Sequence, residues 1–214
     1  MTWRVTSILT GKADPFGPDG ERSAIAKRPI DGPVRVGKLG IESDEQADLI
    51  HHGGLDKAIH HYPIDHYAFW RAELACHPLL EQPGAFGENI STGGLTEDNV
   101  CIGDRFALGS TVLEVSQGRQ PCWKLAHRFD DKKVPKIVIR TGKGGWYYRV
   151  LEGGTIKPGD ELHLAERPHP KWSVRRVFDL LIAGEAKRES EAAGELSELG
   201  ALATNWRERA ARFA

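Results

Sequence analysis

Glycine and proline interrupt the first 170 residues so often that only short extended segments fit between them. Turn clusters stand at Gly11, at Pro15-Phe16-Gly17-Pro18-Asp19-Gly20, at Asp31-Gly32-Pro33, at Gly93-Gly94, at Leu108-Gly109-Ser110, from Gly142 to Gly145, at Gly153-Gly154 and at Pro158-Gly159-Asp160. Between them the segments 5–9, 34–39, 99–108, 111–115, 137–140, 146–151 and 161–164 are short and often β-branched or aromatic, which predicts strands. Such spacing suits a barrel or folded sheet, not alternating βαβ units. A local helix is predicted over 64–75, where Asp65 opens the first turn and Tyr67, Phe69, Trp70 and Leu74 supply apolar contacts.

The punctuation changes at Pro168-His169-Pro170. From Trp172 the pattern is helical, with Val174, Val177, Phe178, Leu181 and Ile182 on one face and Ser173 placed as an N-cap. Gly184, Gly194 and Gly200 are expected to divide the tail into short helices, the last running over 205–213 behind an N-cap Asn205. The expected fold is therefore mainly β (α+β), a barrel over 1–170 and a small helical appendage over 171–214. The appendage either packs on the barrel or docks a partner.

An apolar fraction of 40% in 214 residues suffices for a real core. No apolar run approaches the roughly 20 residues of a membrane span, and the start, Met1-Thr2-Trp3-Arg4-Val5, lacks the apolar stretch of a secretory signal. A cytoplasmic protein with no membrane partner is expected. Cys76, Cys101 and Cys122 are too few and too irregular for a disulfide framework, so reduced thiols are expected. A net charge of −1 argues against a nucleic-acid polymer as partner.

Charge is distributed unevenly, however. From Arg119 to Arg149 nine Lys and Arg (119, 124, 128, 132, 133, 136, 140, 143, 149) stand against two acids, Asp130 and Asp131. Cys122 sits at the mouth of this stretch, in Ser116-Gln117-Gly118-Arg119-Gln120-Pro121-Cys122-Trp123-Lys124. Cations near a thiol favour the thiolate, the form that attacks electrophiles or binds soft metals. Pro121 and Gly118 predict a shaped loop after a strand, where reactive groups are commonly presented. A small anionic ligand fits this setting.

Six of the nine His lie between His51 and His77, which looks like a metal site until spacing is considered. His51-His52 and His60-His61 are adjacent pairs, and neighbours on a strand face opposite ways, so each pair offers one His inward. No Cys or carboxylate stands at the spacing of a four-ligand structural zinc site, so most of these residues read as structural. Three glycine loops are different. His52-Gly53-Gly54 leaves amides able to meet an anion, Phe86-Gly87-Glu88-Asn89 places an acid and an amide after a turn, and Thr141-Gly142-Lys143-Gly144-Gly145-Trp146-Tyr147 has the composition of a phosphate cradle without the order of a nucleotide P-loop.

Taken together, His51-His52-Gly53-Gly54-Leu55-Asp56-Lys57-Ala58, Phe86-Gly87-Glu88-Asn89, Ser116-Gln117-x-Arg119-x-Pro121-Cys122-x-Lys124-Leu125 and Thr141-Gly142-Lys143-x-Gly145-Trp146 resemble the MOSC domain, shared with the C-terminus of molybdenum cofactor sulfurase. The helical tail, Ser23-Ala24-Ile25-Ala26-Lys27 and Asp44-Glu45-Gln46-Ala47-Asp48 resemble its YiiM-type bacterial branch, so the resemblance spans nearly the whole chain. One position departs. Gly118 stands where the family pattern carries a proline, which would loosen the Cys122 loop.

The resemblance implies a β-barrel that holds the molybdenum cofactor (molybdopterin), with Cys122 as thiolate ligand to molybdenum. A soft thiolate suits the metal, and basic glycine loops suit the cofactor's phosphate. It also implies reduction of N-hydroxylated small molecules, such as hydroxylamino nucleobases, to amines. Electrons would come from a separate flavin or iron–sulfur reductase, since nothing here resembles a Rossmann fingerprint or an iron–sulfur cysteine cluster. Ser23, Lys27, Arg119 and Lys143 are candidates for phosphate or pterin contacts, Gly53 for an anion-binding amide, His52, Asn89 and Gln117 for the pterin edge or substrate, and Glu88 for proton relay. Persulfide transfer on Cys122, or storage and delivery of the cofactor without catalysis, are the competing functions. A homodimer is compatible with the tail.

Overall fold

The computed structural model describes residues 1–17, 20–47 and 53–214. Seven strands form the frame: β1 (Thr2–Thr10), β2 (Ile59–His61), β3 (Ile90–Thr92), β4 (Arg105–Leu108), β5 (Thr111–Gly118), β6 (Trp146–Glu152) and β7 (Glu161–Glu166). They pair in the order β7-β4-β5-β6-β2-β3-β1, and β1 pairs again with β7 through Trp3 and Leu162, so the sheet closes into a barrel. Closure leaves no long unpaired edge. Every neighbouring pair is antiparallel except β2 and β3, which meet in parallel at His61 and Ile90. Val5, Phe106, Leu108, Leu113, Val115, Tyr148 and Leu162 belong to one apolar cluster and are almost wholly buried, as alternation along half-buried strands requires.

Several local expectations need correction. Residues 137–140 are not a strand but part of helix α3 (Val134–Thr141), with Pro135 in its first turn and Gly142 closing it at φ 69°. Val134, Ile137 and Val138 repeat at helical spacing and are the buried ones, so the β-branched run served a helix face. The 99–108 strand begins only at Arg105, because Asp104 accepts the Cys101 amide at 2.9 Å and Gly103 turns at φ 81°. Helix α1 (His66–Glu73) lies within 64–75, yet Asp65 makes no capping bond and instead accepts from Gly94 N. A short helix, α2 (Trp123–Arg128), comes directly after the Cys122 loop.

In the tail, α4 (Val174–Phe178) is capped by Ser173, whose hydroxyl accepts from Arg176 N at 3.1 Å. It continues as a π-helical turn, Asp179–Ala183, ended by Gly184 at φ 97°. Gly194 lies inside α5 (Ser190–Ser197) and breaks nothing. Helix α6 (Thr204–Ala210) has Ala203 at its N-cap and Asn205 within its first turn. Val174, Val177, Phe178, Leu181 and Trp206 share the barrel's apolar cluster. Hydrogen bonds stitch the junction, among them Ala203 N to Ser116 O, Val174 N to Val100 O, Arg175 N to Glu97 O and Arg149 Nη1 to Ala201 O. Among the described residues no helix is long and apolar enough to cross a membrane.

Candidate functional site

The site starts from a register shift. The β5–β6 ladder slips between Val115 and Gln117, leaving Ser116 as the extra residue, with its hydroxyl bonded to Asp56 O and Tyr147 O. A bulge bends its strand and re-aims the side chains past the extra residue. Here those side chains begin with Gln117, which pairs with Tyr147, and Tyr147 pairs with His60, so the three form one row across β5, β6 and β2. The neighbouring row, Gly118, Trp146 and His61, faces the other way.

That alternation separates the two histidines as the sequence requires, but both are buried, because the outer face is covered too. His61 stacks on Trp146 at 4.3 Å and bonds Tyr148 Oη and Thr92 Oγ1; burial pushes its pKa down to about 3, so it is a neutral core residue. His60 faces the cavity side. Its Nε2 donates to Gly144 O at 3.1 Å, and burial, with Arg119's charge second, holds its pKa well below the ordinary value. No group of three or more His, Cys, Asp or Glu suited to a metal ion occurs among the described residues.

Over this row lie two neighbouring pockets, a first and a second lobe of the site, that share part of their lining. The first is lined by Ser23, Ile25, Lys27, Asp44, Glu45, Phe86, Gly87, Asn89 and Lys124 among others, and the second by Gln117, Gln120, Pro121, Asn205 and Trp206. Lys57, Arg119, Cys122 and Tyr147 line both. Cys122, half-buried at the N-cap of α2 with an extended backbone, therefore borders both lobes. Four cations, Lys27, Lys57, Arg119 and Lys124, outnumber the two acids of the first lobe.

Asp44 organises the first lobe and was not singled out individually from sequence. It accepts Gly11 N at 2.7 Å and Asn89 Nδ2 at 2.9 Å, and Lys27 Nζ bonds both of its oxygens. Burial lowers the Lys27 pKa, opposed by the charge of Asp44. Asn89 spends its other contacts on Leu9 O and His60 N, so it positions Asp44 and the β2–β3 junction. Ser23 is buried and its hydroxyl accepts Ile25 N.

Arg119 carries the strongest sign of a missing ligand. It is 6% exposed, its backbone is pinned to Gly145 O at 2.9 Å, and its Nη1 is buried without a hydrogen-bond partner among the described residues. Gln117, 2% exposed, likewise has a buried Oε1 with no partner among the described residues. Such groups are costly in a folded protein unless a water, ion or ligand completes them.

Three expected residues lie elsewhere. Glu88 is fully buried, with its oxygens taken by Tyr67 Oη, Gly84 N and Phe86 N; it holds the 84–86 turn and reaches no cavity. Lys143 turns away to His66 Nδ1, 3.4 Å from its Nζ, and to the Phe69 ring. Its glycines are no phosphate cradle either. A Cβ on Gly144 would meet Arg119 O at 2.6 Å and one on Gly145 would meet His61 O at 2.2 Å, so the chain itself fills that space. Gly53 is buried but does not line the cavity, and its neighbour Gly54 donates to the cavity residue Gln46. His52 lies outside the described residues. Gly118 is not loose, since it ends β5 and Trp206, Val174 and Phe178 pack over it.

Residues 48–163 match the MOSC domain. The chain belongs to the MOSC family. Among MOSC relatives it is 44% identical to protein YiiM of Escherichia coli over 160 residues, 75% of this chain and 71% of that protein. It is 49% identical over 156 residues to a protein named "Reductase" from Gibberella moniliformis, covering 72% of this chain but only 28% of that longer protein. The crystal structure of YiiM from Geobacillus stearothermophilus superposes with a TM-score of 0.82 at 35% identity, covering 99% of this chain and 98% of that one. The closed barrel with its helices is thus the MOSC fold in its YiiM-like form.

Proposed function

We propose that this chain is a molybdenum cofactor-dependent reductase that converts N-hydroxylated compounds, hydroxylamino nucleobases among them, to amines. The observation that carries this reading is the convergence of Cys122 with a buried arginine whose Nη1 lacks a partner among the described residues, in a cavity otherwise rich in lysine. That donor set fits the cofactor: one soft thiolate for the metal, and Arg119, Lys57 and Lys124 for phosphate and pterin oxygens. When bound, the cofactor supplies the two-electron couple for N–O cleavage. The reaction is R–NHOH + 2e⁻ + 2H⁺ → R–NH2 + H2O, with electrons drawn from a separate flavin or iron–sulfur reductase. The name of the Gibberella relative supports a reductive reaction.

The chain's own residues then have distinct tasks. Cys122 holds the metal, Tyr147 and His60 wall the cavity, and Asn89 fixes Asp44. Proton supply falls to Lys27, whose Nζ is held by the Asp44 carboxylate at the cavity wall, in place of the sealed Glu88. The test is to purify the protein from cells that make the cofactor, measure molybdenum per chain, and assay an N-hydroxylated base with an artificial electron donor. Cys122→Ser is expected to lose molybdenum-dependent turnover while keeping the barrel folded, whereas Cys76→Ser retains both. Activity that persists in Cys122→Ser with full molybdenum content would refute the ligand assignment. Wild-type protein that carries a persulfide and no molybdenum would point to sulfur transfer instead.

A further inference from the structure

The filled cradle leaves the Thr141-Gly142-Lys143-Gly144-Gly145-Trp146-Tyr147 segment without a task, yet it is fixed more firmly than a surface turn requires. The Gly144–Gly145 peptide is held at both ends by buried side chains. Its carbonyl accepts from His60 Nε2 at 3.1 Å, and its N–H donates to Glu97 Oε1 at 2.6 Å. The next carbonyl, Gly145 O, accepts from Arg119 N at 2.9 Å. A Cβ on Gly144 would meet Arg119 O at 2.6 Å, so the turn lies against that carbonyl as well. Two residues on, Tyr147 hydrogen-bonds the Arg119 side chain itself.

Glu97 is the unexpected part of this arrangement. It is 3% exposed, and its second oxygen accepts from His66 Nε2 at 2.6 Å, with His66 4% exposed. An ammonium can only donate, so Lys143 Nζ meets a lone pair on His66 Nδ1, and the ring proton of a neutral His66 stands on Nε2, aimed at Glu97. The Glu97 main-chain oxygen accepts from Arg175 N at 2.8 Å, and Arg175 Nη1 bonds Thr141 O, so the first tail helix closes the same turn. A buried carboxylate is costly, and a neutral acceptor would be enough to satisfy one amide. What the charge adds is a shorter and stronger bond.

We propose that Glu97 is a positioning residue for Arg119, acting through the Gly145 amide, with His66 orienting its carboxylate. A long side chain magnifies any rotation of the backbone that carries it. Clamping the turn against Arg119 N and O therefore sets where Nη1 stands, the atom that has no partner among the described residues. A donor fixed in advance costs less to order when its ligand binds. Glycine at 144 and 145 permits the close approach. Lys143 stands at the outer end of the chain of contacts, where its loss leaves both bonds of Glu97 in place. The proposal deepens the cofactor reading and rests on it for what Arg119 holds; that Glu97 holds Arg119 in place does not depend on it.

Two measurements test it, neither of them turnover. Nitrogen-15 relaxation on cofactor-free wild-type protein is expected to give Arg119 Nε an order parameter of about 0.85, that of rigid backbone, and Glu97→Gln is expected to lower it toward the flexible range, below about 0.6. Molybdenum per chain, in protein from cells that make the cofactor, is expected to fall roughly three- to tenfold in Glu97→Gln, the worth of one hydrogen bond. In an Arg119→Met background the same substitution is expected to change molybdenum by less than about twofold, because the group it positions is gone. Glu97→Asp, which keeps the charge but withdraws the oxygens, serves as a second variant, and the wild-type order parameter requires no variant to fold. A flexible Arg119 Nε in wild-type protein overturns the proposal. Equal molybdenum loss in both backgrounds also overturns it, since a merely structural carboxylate acts whether or not Arg119 is present. A rigid Arg119 that loosens in Glu97→Gln, in a protein that never carries molybdenum, refutes the cofactor reading and leaves the positioning intact. Molybdenum and order parameter both unchanged in Glu97→Gln do the reverse.

Discussion

The Cys122 loop and the Gly142–Gly145 turn carry similar residues, glycine beside a cation, and they touch through Arg119 N and Gly145 O. Their surroundings are opposite. On the Cys122 side a guanidinium and an amide keep buried atoms without partners and face a cavity. In the Gly142–Gly145 turn every space a side chain could occupy is already taken, by Arg175 at Gly142, by Arg119 at Gly144 and by His61 at Gly145. One segment turns polar atoms toward a cavity, and the other is filled by its own neighbours. Glycine in a motif reports that something approaches closely, and only packing reveals whether it is a ligand or the chain's own backbone.

The sharpest way to break this comparison is Gly145→Ala. With φ at 75° and a Cβ placed 2.2 Å from His61 O, the substitution is expected to cost roughly 2–3 kcal/mol, read as a fall in the urea midpoint. A loss under about 0.5 kcal/mol, the range of ordinary surface changes, would mean that the turn has room to spare. Arg119→Met should show the reverse pattern. Molybdenum bound per chain is expected to fall roughly tenfold, the effect typical of groups supporting a bound metal, while stability changes by less than about 1 kcal/mol, since the lost hydrogen bond to Tyr147 is offset by removal of an unpartnered buried donor. Lost stability with unchanged molybdenum would make Arg119 structural. The smallest effect is expected from Lys143→Met, which removes a contact to His66 and one over Phe69 worth about 0.5–1 kcal/mol and leaves molybdenum content alone. Molybdenum loss in that variant would return Lys143 to the site.

Much of the barrel was legible because strand periodicity is local. Segments around 5–9, 111–115, 146–151 and 161–164 all fall on strands, and Ser173 caps its helix as its position before an apolar repeat demands. The misreadings share a cause. Residues 137–140 look like a strand when taken four at a time, and the helix shows only when Pro135 and Gly142 are seen to bracket them. The three-residue strands β2 and β3 were missed because they are too short to display alternation.

Site residues divide along the same line. Cys122, Arg119, Gln117, Lys27, Ser23 and Asn89 were accessible because motif and charge single them out, and the fold sets them around two neighbouring pockets that share Cys122 and Arg119. Lys57 and Lys124 stood inside the family motifs without being assigned a role. Asp44 appeared only as part of a longer run, and nothing local marks it as the anchor of Lys27.

What the sequence determined by itself is therefore a succession of short strands suited to a barrel or folded sheet, the shaped thiol loop in positive charge, and the helical character of the tail, since period, turn chemistry and charge are properties of neighbours along the chain, whereas closure of the sheet rests on the distant pairing of Trp3 with Leu162. Tertiary structure alone decided that Glu88 and Lys143 turn away, that the glycine cradle is filled, and that Asn205 and Trp206 reach the cavity beside Cys122. The physical reason is that a polar side chain's role depends on whether another segment has already satisfied or displaced it. That partner lies anywhere from two residues away in the chain, as Phe86 N does for Glu88, to 161, as His163 does for Thr2.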